Sequence, residues 1–192
     1  MAVKKVLEYG TQSLREPSKE VHKVSSKIKD LVKDLFDTMY TQNGVGLAAP
    51  QIGVNYRVFV IDVSADKEPP NPMVFINPKF IKKSGAFESD EGCLSFPNVF
   101  TKVRRYKNVT IKAQDTKGRS FILEANGGTL LTKALQHEYD HLDGVLFIDH
   151  ARDLDDANSK LEKYKLPPVE LGKLLDEPEL EKEISDNNKD KN

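Results

Sequence analysis

Two histidines four residues apart, set inside an apolar helix, constrain this chain more than any other feature. Between Thr129 and Asp143 the positions Leu130, Leu131, Ala134, Leu135 and Leu142 predict a helix buried on at least one side, with Thr129 as N-cap and Gly144 as stop. The segment HEYDH (His137–His141) lies within it. Residues four apart share a helical face, so His137 and His141 can aim imidazole nitrogens at one point, and one metal ion can accept both. Unliganded imidazoles in so apolar a setting would need other partners. Glu138 sits about 100° round from His137 and can face a metal-bound water without being a ligand. His22 and His150 have no such geometry and read as surface or ordinary hydrogen-bonding residues.

A catalytic ion usually takes three protein ligands and keeps one position open, so a third ligand is required. A HExxHxxGxxH protease would place a histidine where Phe147 stands, and phenylalanine binds no metal. A peptidase with a downstream glutamate has Glu162 as its nearest candidate, without a supporting motif. The remaining option lies upstream, where Cys93, the only cysteine, occurs in EGCLSFP (Glu91–Pro97). On its own a lone cysteine reads as a small buried hydrophobe rather than a ligand.

The rest of the chain predicts an α+β fold. Ile28, Leu31, Val32, Leu35, Phe36 and Met39 recur at helical spacing from Ser25 to Tyr40, giving an N-terminal helix that Asn43-Gly44 stops. Tyr56–Val63, Met73–Pro78, Asn108–Asp115 and Phe121–Ala125 are rich in β-branched and aromatic residues, and DTKGRS (Asp115–Ser120) reads as a hairpin turn between the last two. Strands following strands favour a mostly antiparallel sheet packed around the central HExxH helix. The 192 residues suit one catalytic domain over 1–165, followed by a polar tail over 166–192 with eight acidic residues against four lysines. Within that tail the expectation is at most a short helix near Val169–Leu175 and a disordered last dozen residues. A net charge of −1 argues against DNA as a partner, and no stretch is apolar enough for a membrane span. With one cysteine and no secretion signal, the expected compartment is the cytoplasm.

The small-residue loop GVGLAAPQIG (Gly44–Gly53) lacks the third glycine of GxGxxG and the lysine of a P-loop, so it is no phosphate cradle. It implies backbone pressed against a ligand or another segment, and Gln51 offers an amide donor for an oxyanion.

Taken together and in order, GVGLAAPQ, EGCLS and QHEYDH resemble the three signature motifs of the peptide deformylases, which remove the N-formyl group from newly made bacterial proteins. The resemblance spans roughly Leu7 to Asp149. It implies Cys93, His137 and His141 as ligands of one divalent metal ion, Fe²⁺ physiologically, with Zn²⁺, Ni²⁺ or Co²⁺ able to replace it. It implies Glu138 as general acid/base acting on a metal-bound water, and Gln51 with the Leu94 backbone N–H as oxyanion donors. N-formylmethionyl nascent peptides would be the substrates, paired with Val45–Gly46 and Gly92, their methionine in an apolar pocket near Val45 and Leu130. Arg105 resembles the family's arginine that supports the EGCLS segment through Glu91. Two positions depart from the pattern: Phe100 replaces an arginine that meets the substrate backbone in many members, and Lys133, where some have an apolar residue, is expected to point to solvent. A transient ribosome contact through the C-terminal region fits the activity, though the acidic tail offers it no electrostatic support. The alternatives are a zinc peptidase of the HExxH kind and a module that binds N-formyl peptides without turnover.

Overall fold

The apolar steps after Ser25 form α1 (Ser26–Thr41), which buries Ile28, Leu31, Val32, Leu35 and Met39 along one side. The computed structural model describes residues 2–64 and 69–169. After α1 come a short strand β1 (Gly46–Ala48), a 3₁₀ turn over Ala49–Ile52, and β2 (Val58–Ile61). Two long strands follow, β3 (Met73–Cys93) and β4 (Phe96–Gln114), then β5 (Ser120–Ala125), the helix α2 (Leu130–Leu142) and, last among the described residues, the helix α3 (Leu154–Lys163). The strands make one antiparallel sheet in the order β1-β2-β3-β4-β5. The α+β class is therefore as expected.

Strand β2 explains how the layers stack. Alternation sends Val58 and Val60 into a core shared with α1, and Phe59 and Ile61 into a second core shared with Ala134, Leu135 and Leu142 of α2. Both faces of this strand are covered, which is why its sequence is an unbroken apolar run. A third core joins Phe96, Val99 and Val103 of β4 to Phe147, Ala157 and Leu161.

Three expectations change. The strand expected over Met73–Pro78 continues to Cys93, and the one expected over Asn108–Asp115 starts at Phe96, because 79–107 form a long hairpin. Its partners include Glu88 opposite Arg104 and Asp90 opposite Lys102, so charge pairing across strands sustains an outer stretch too polar to read as strand. Helix α3 was not expected either: only Leu154, Ala157 and Leu161 give it an apolar stripe, and Asp153 caps it by accepting from the Asp156 N–H. Of the helix expected near Val169–Leu175 only Val169 is described, buried and outside any helix; the rest, with the last dozen residues, lies outside the described residues. Among the described residues no helix is long and apolar enough to cross a membrane.

Candidate metal centre and active site

Helix α2 begins where expected, the Thr129 hydroxyl accepting from the Thr132 N–H at 3.4 Å, and Gly144 beyond its end takes φ 71°. One turn of this helix separates the His137 and His141 rings, whose centroids lie 5.1 Å apart. Cys93 arrives from the sheet. It ends β3, at a register irregularity after Gly92, and its Sγ lies 3.3 Å from His141 Nε2. One potential ligand atom from each of Cys93, His137 and His141 falls within 4.8 Å of the others. A sulfur and two imidazole nitrogens converging in a mostly buried place are a donor set for a borderline divalent transition metal. The site also keeps polar atoms in need of partners: Glu138 Oε2 and His141 Nδ1 are buried without a hydrogen bond. On these grounds the residues fit one divalent ion.

Gly46 makes room for Glu138. A side chain at Gly46 would collide with the Glu138 carboxylate, so the tightly packed small-residue loop is pressed against the acid of α2. Gln51, at the far end of that loop, is almost fully buried. Its Oε1 accepts from the Ala48 N–H at 2.9 Å, which turns Nε2 toward the Ser95 hydroxyl at 3.2 Å and Cys93 Sγ at 3.4 Å. The N-terminal segment straps both parts, Leu7 N–H donating to the Gln51 carbonyl and Tyr9 N–H to that of Ser95.

Behind the histidines lies a buried charge network. Arg105 donates from Nε and Nη2 to the two Glu91 oxygens, each at 2.9 Å, and from Nη1 to Asp140. Glu91 Oε2 lies 3.0 Å from His137 Nδ1, and Asp140 Oδ2 lies 2.9 Å from His150 Nε2. A carboxylate on Nδ1 fixes that ring's tautomer and leaves Nε2 for a cation. Burial alone would raise the Glu91 carboxyl, but the Arg105 guanidinium and His137 outweigh it and hold it down to about 2. Glu138 behaves oppositely: burial, aided by Glu91 and Asp140 and opposed by His137 and Arg105, pushes it up to about 7. A carboxyl poised there can both take and return a proton near neutral pH.

The cleft over these groups has a volume of about 590 Å³ and reaches Gly46, Gln51, Gly92, Cys93, Leu94 and Glu138 at its inner end. Val45 and Leu130 sit exposed on its rim. Glu162 is exposed on α3 and Phe147 is core, its ring centroid 5.9 Å from that of His137, so neither competes as the third ligand. His22 is exposed, and His150 hydrogen-bonds Asp140. Lys133 departs from expectation: rather than simply pointing to solvent, its Nζ crosses to the Asp90 carbonyl at 3.1 Å, tying α2 to β3. Sequence reasoning missed Asp140, although an acid inside HEYDH beside a histidine was a visible signal.

A thiol and two imidazoles that converge, with a protonatable carboxylate beside them at the inner end of a cleft, define the class: a metal-dependent hydrolase built on a HExxH helix. Residues 3–157 match the family described as polypeptide deformylase. The chain is 44% identical over 165 residues to a peptide deformylase of Pseudoalteromonas translucida, covering 85% of this chain and 96% of the relative. It is 43% identical to peptide deformylase 1 of Bacillus subtilis, covering 85% and 93%. Among solved structures, a peptide deformylase from Legionella pneumophila superposes with TM-score 0.77 at 42% identity, over 85% of this chain and 96% of that one. A Synechococcus elongatus peptide deformylase in complex with actinonin gives 0.79 at 37% identity, over 85% and 91%. The chain belongs to the polypeptide deformylase family.

Proposed function

We propose that this protein hydrolyses the N-formyl group from the N-terminal formylmethionine of newly synthesised polypeptides, releasing formate. The observation that carries this reading is the convergence of Cys93, His137 and His141 within 4.8 Å beside a Glu138 whose carboxylate keeps a buried, unpartnered oxygen. Cys93, His137 and His141 would hold the ion, which we take to be Fe²⁺ from the family resemblance; zinc, nickel and cobalt suit the same donors. When bound, it supplies Lewis acidity that eases deprotonation of water near neutral pH.

The protein's own groups do the rest. Glu138 takes a proton from the attacking water, then returns it to the departing amine. The Gln51 Nε2–H and the Leu94 backbone N–H donate to the formyl oxygen as it gains charge, and the Ala48 N–H holds the other end of the Gln51 amide. Substrate backbone pairs with Val45–Gly46 on one side and Gly92 on the other, as an added strand, and the methionine side chain packs by Val45 and Leu130. The formyl group is small, so the buried inner end selects it by shape. The reaction belongs in the cytoplasm, where nascent chains arise, with at most a transient ribosome contact.

The test is anaerobic purification with metal quantified alongside formate release from formyl-Met-Ala-Ser. Expected are about one ion per chain, formate release that tracks it, and loss or exchange of the ion in Cys93→Ser. Cleavage of an unformylated peptide would indicate a peptidase, and binding of the formyl peptide without formate would indicate a binding module.

A further inference from the structure

Three large apolar side chains that the fold leaves exposed share the rim of the cleft: Val45 at 40%, Leu130 at 45% and Phe100 at 61%. Phe100 is the hardest to account for. Along β4 alternation buries Val99, Thr101 and Val103 and leaves Asn98, Phe100 and Lys102 exposed. Its two neighbours on that face are polar, and folding gains little from an aromatic ring that stays mostly in water.

The ring nonetheless has a defined seat. Phe100 is the cross-strand partner of Gly92, and a Cβ built on Gly92 would lie 2.5 Å from Phe100 Cε1 and 2.7 Å from Cδ1. Only a glycine lets the ring come down onto the strand there. The result is an apolar surface resting on the residue next to Cys93, at the mouth of the cleft and beyond its inner end.

We infer that Phe100 is a specificity-determining residue, an apolar platform for one of the two side chains that follow the formylated residue. The inference rests on the deformylation reading, with the substrate running extended past Gly92. Successive side chains of an extended peptide point to opposite faces, so one of the two following positions meets the ring and the other does not. An apolar side chain at that position removes its own surface and the ring's from water together. The favoured substrates are therefore formylated N-termini with an aliphatic or aromatic residue at that one position.

The test compares kcat/KM for formate release from formyl-Met-X-Ser and formyl-Met-Ala-X, with X as leucine or its near-isostere asparagine. Leucine should be favoured about tenfold at one of the two positions, the scale for a partly open apolar contact. Phe100→Ser should bring that ratio to within about twofold of unity, and Phe100→Tyr, which keeps the ring, should retain it. A merely structural ring would change all rates together and leave the ratio alone. Equal leucine and asparagine rates in the parent, or a preference that survives Phe100→Ser, overturns the inference. Formate release without side-chain preference removes this inference only, whereas no formate release from formyl-Met-Ala-Ser takes down the deformylation reading and this inference together.

Discussion

Glu138 and Gly46 are read as a pair, because the acid sits where it does only if position 46 has no side chain. Removing the carboxylate in Glu138→Ala should lower turnover by roughly 10² to 10⁴, the range for a general acid/base, with metal content unchanged by elemental analysis. Turnover equal to the parent's would end that role. Gly46→Ala keeps every functional side chain yet drives a methyl group into the carboxylate. Misplacement on that scale should cost about 10²-fold in kcat, while the far-ultraviolet circular dichroism spectrum stays that of the parent. A fully active Gly46→Ala variant would show that the close approach does not matter. Both residues were legible in the sequence as functional candidates, Glu138 from its spacing in HEYDH and Gly46 from the small-residue loop. What Gly46 accommodates was not, since nothing local to residue 46 points to residue 138.

The brace formed by α2 with the β3–β4 hairpin consists of Glu91, Arg105, Asp140 and His137, and its charges make folding depend on pH. Burial opposes ionisation of Glu91 and Asp140, but Arg105 prevails in both, holding Glu91 at about 2 and Asp140 below the ordinary carboxylate range. A carboxyl whose folded pKa is depressed binds fewer protons in the native state. Its stabilisation is therefore complete above the unfolded pKa of about 4 and drains away as pH falls toward the folded one. Thermal melts should show a loss on the order of 1 to 3 kcal/mol between about pH 4.5 and pH 2 from Glu91. Glu91→Gln, which removes the charge, should flatten that acid limb; an unchanged limb would remove Glu91 from the linkage. Elements with a strong period, α1 and α2, and the apolar strand β2 were readable from local pattern alone. The outer hairpin was not, because strands rich in lysine, arginine and glutamate are held by partners far along the chain.

Across the whole molecule, the chain just beyond α3 still packs onto the domain. Leu166 and Val169 pack onto the third core with Leu161 and Phe96, and the Val169 N–H donates to Asn158 at 2.9 Å. A chain cut after Lys165 should therefore be less stable than one cut after Val169 by about 1 to 3 kcal/mol, the value of uncovering two aliphatic side chains in part. Denaturant titration of the two truncations decides it, and equal midpoints would show that Leu166 and Val169 add nothing to stability.

The sequence by itself determined the α+β class, the helix bearing HEYDH and the three motifs of the family, because helical spacing, strand composition and short signatures are local properties. Tertiary structure alone decided that Cys93 meets two imidazoles 44 and 48 positions further on, that Arg105 joins Glu91 to Asp140, and that Gly92 seats Phe100. Those meetings depend on the register of a long hairpin, and register is set by many weak contacts summed over both strands, which no single segment contains.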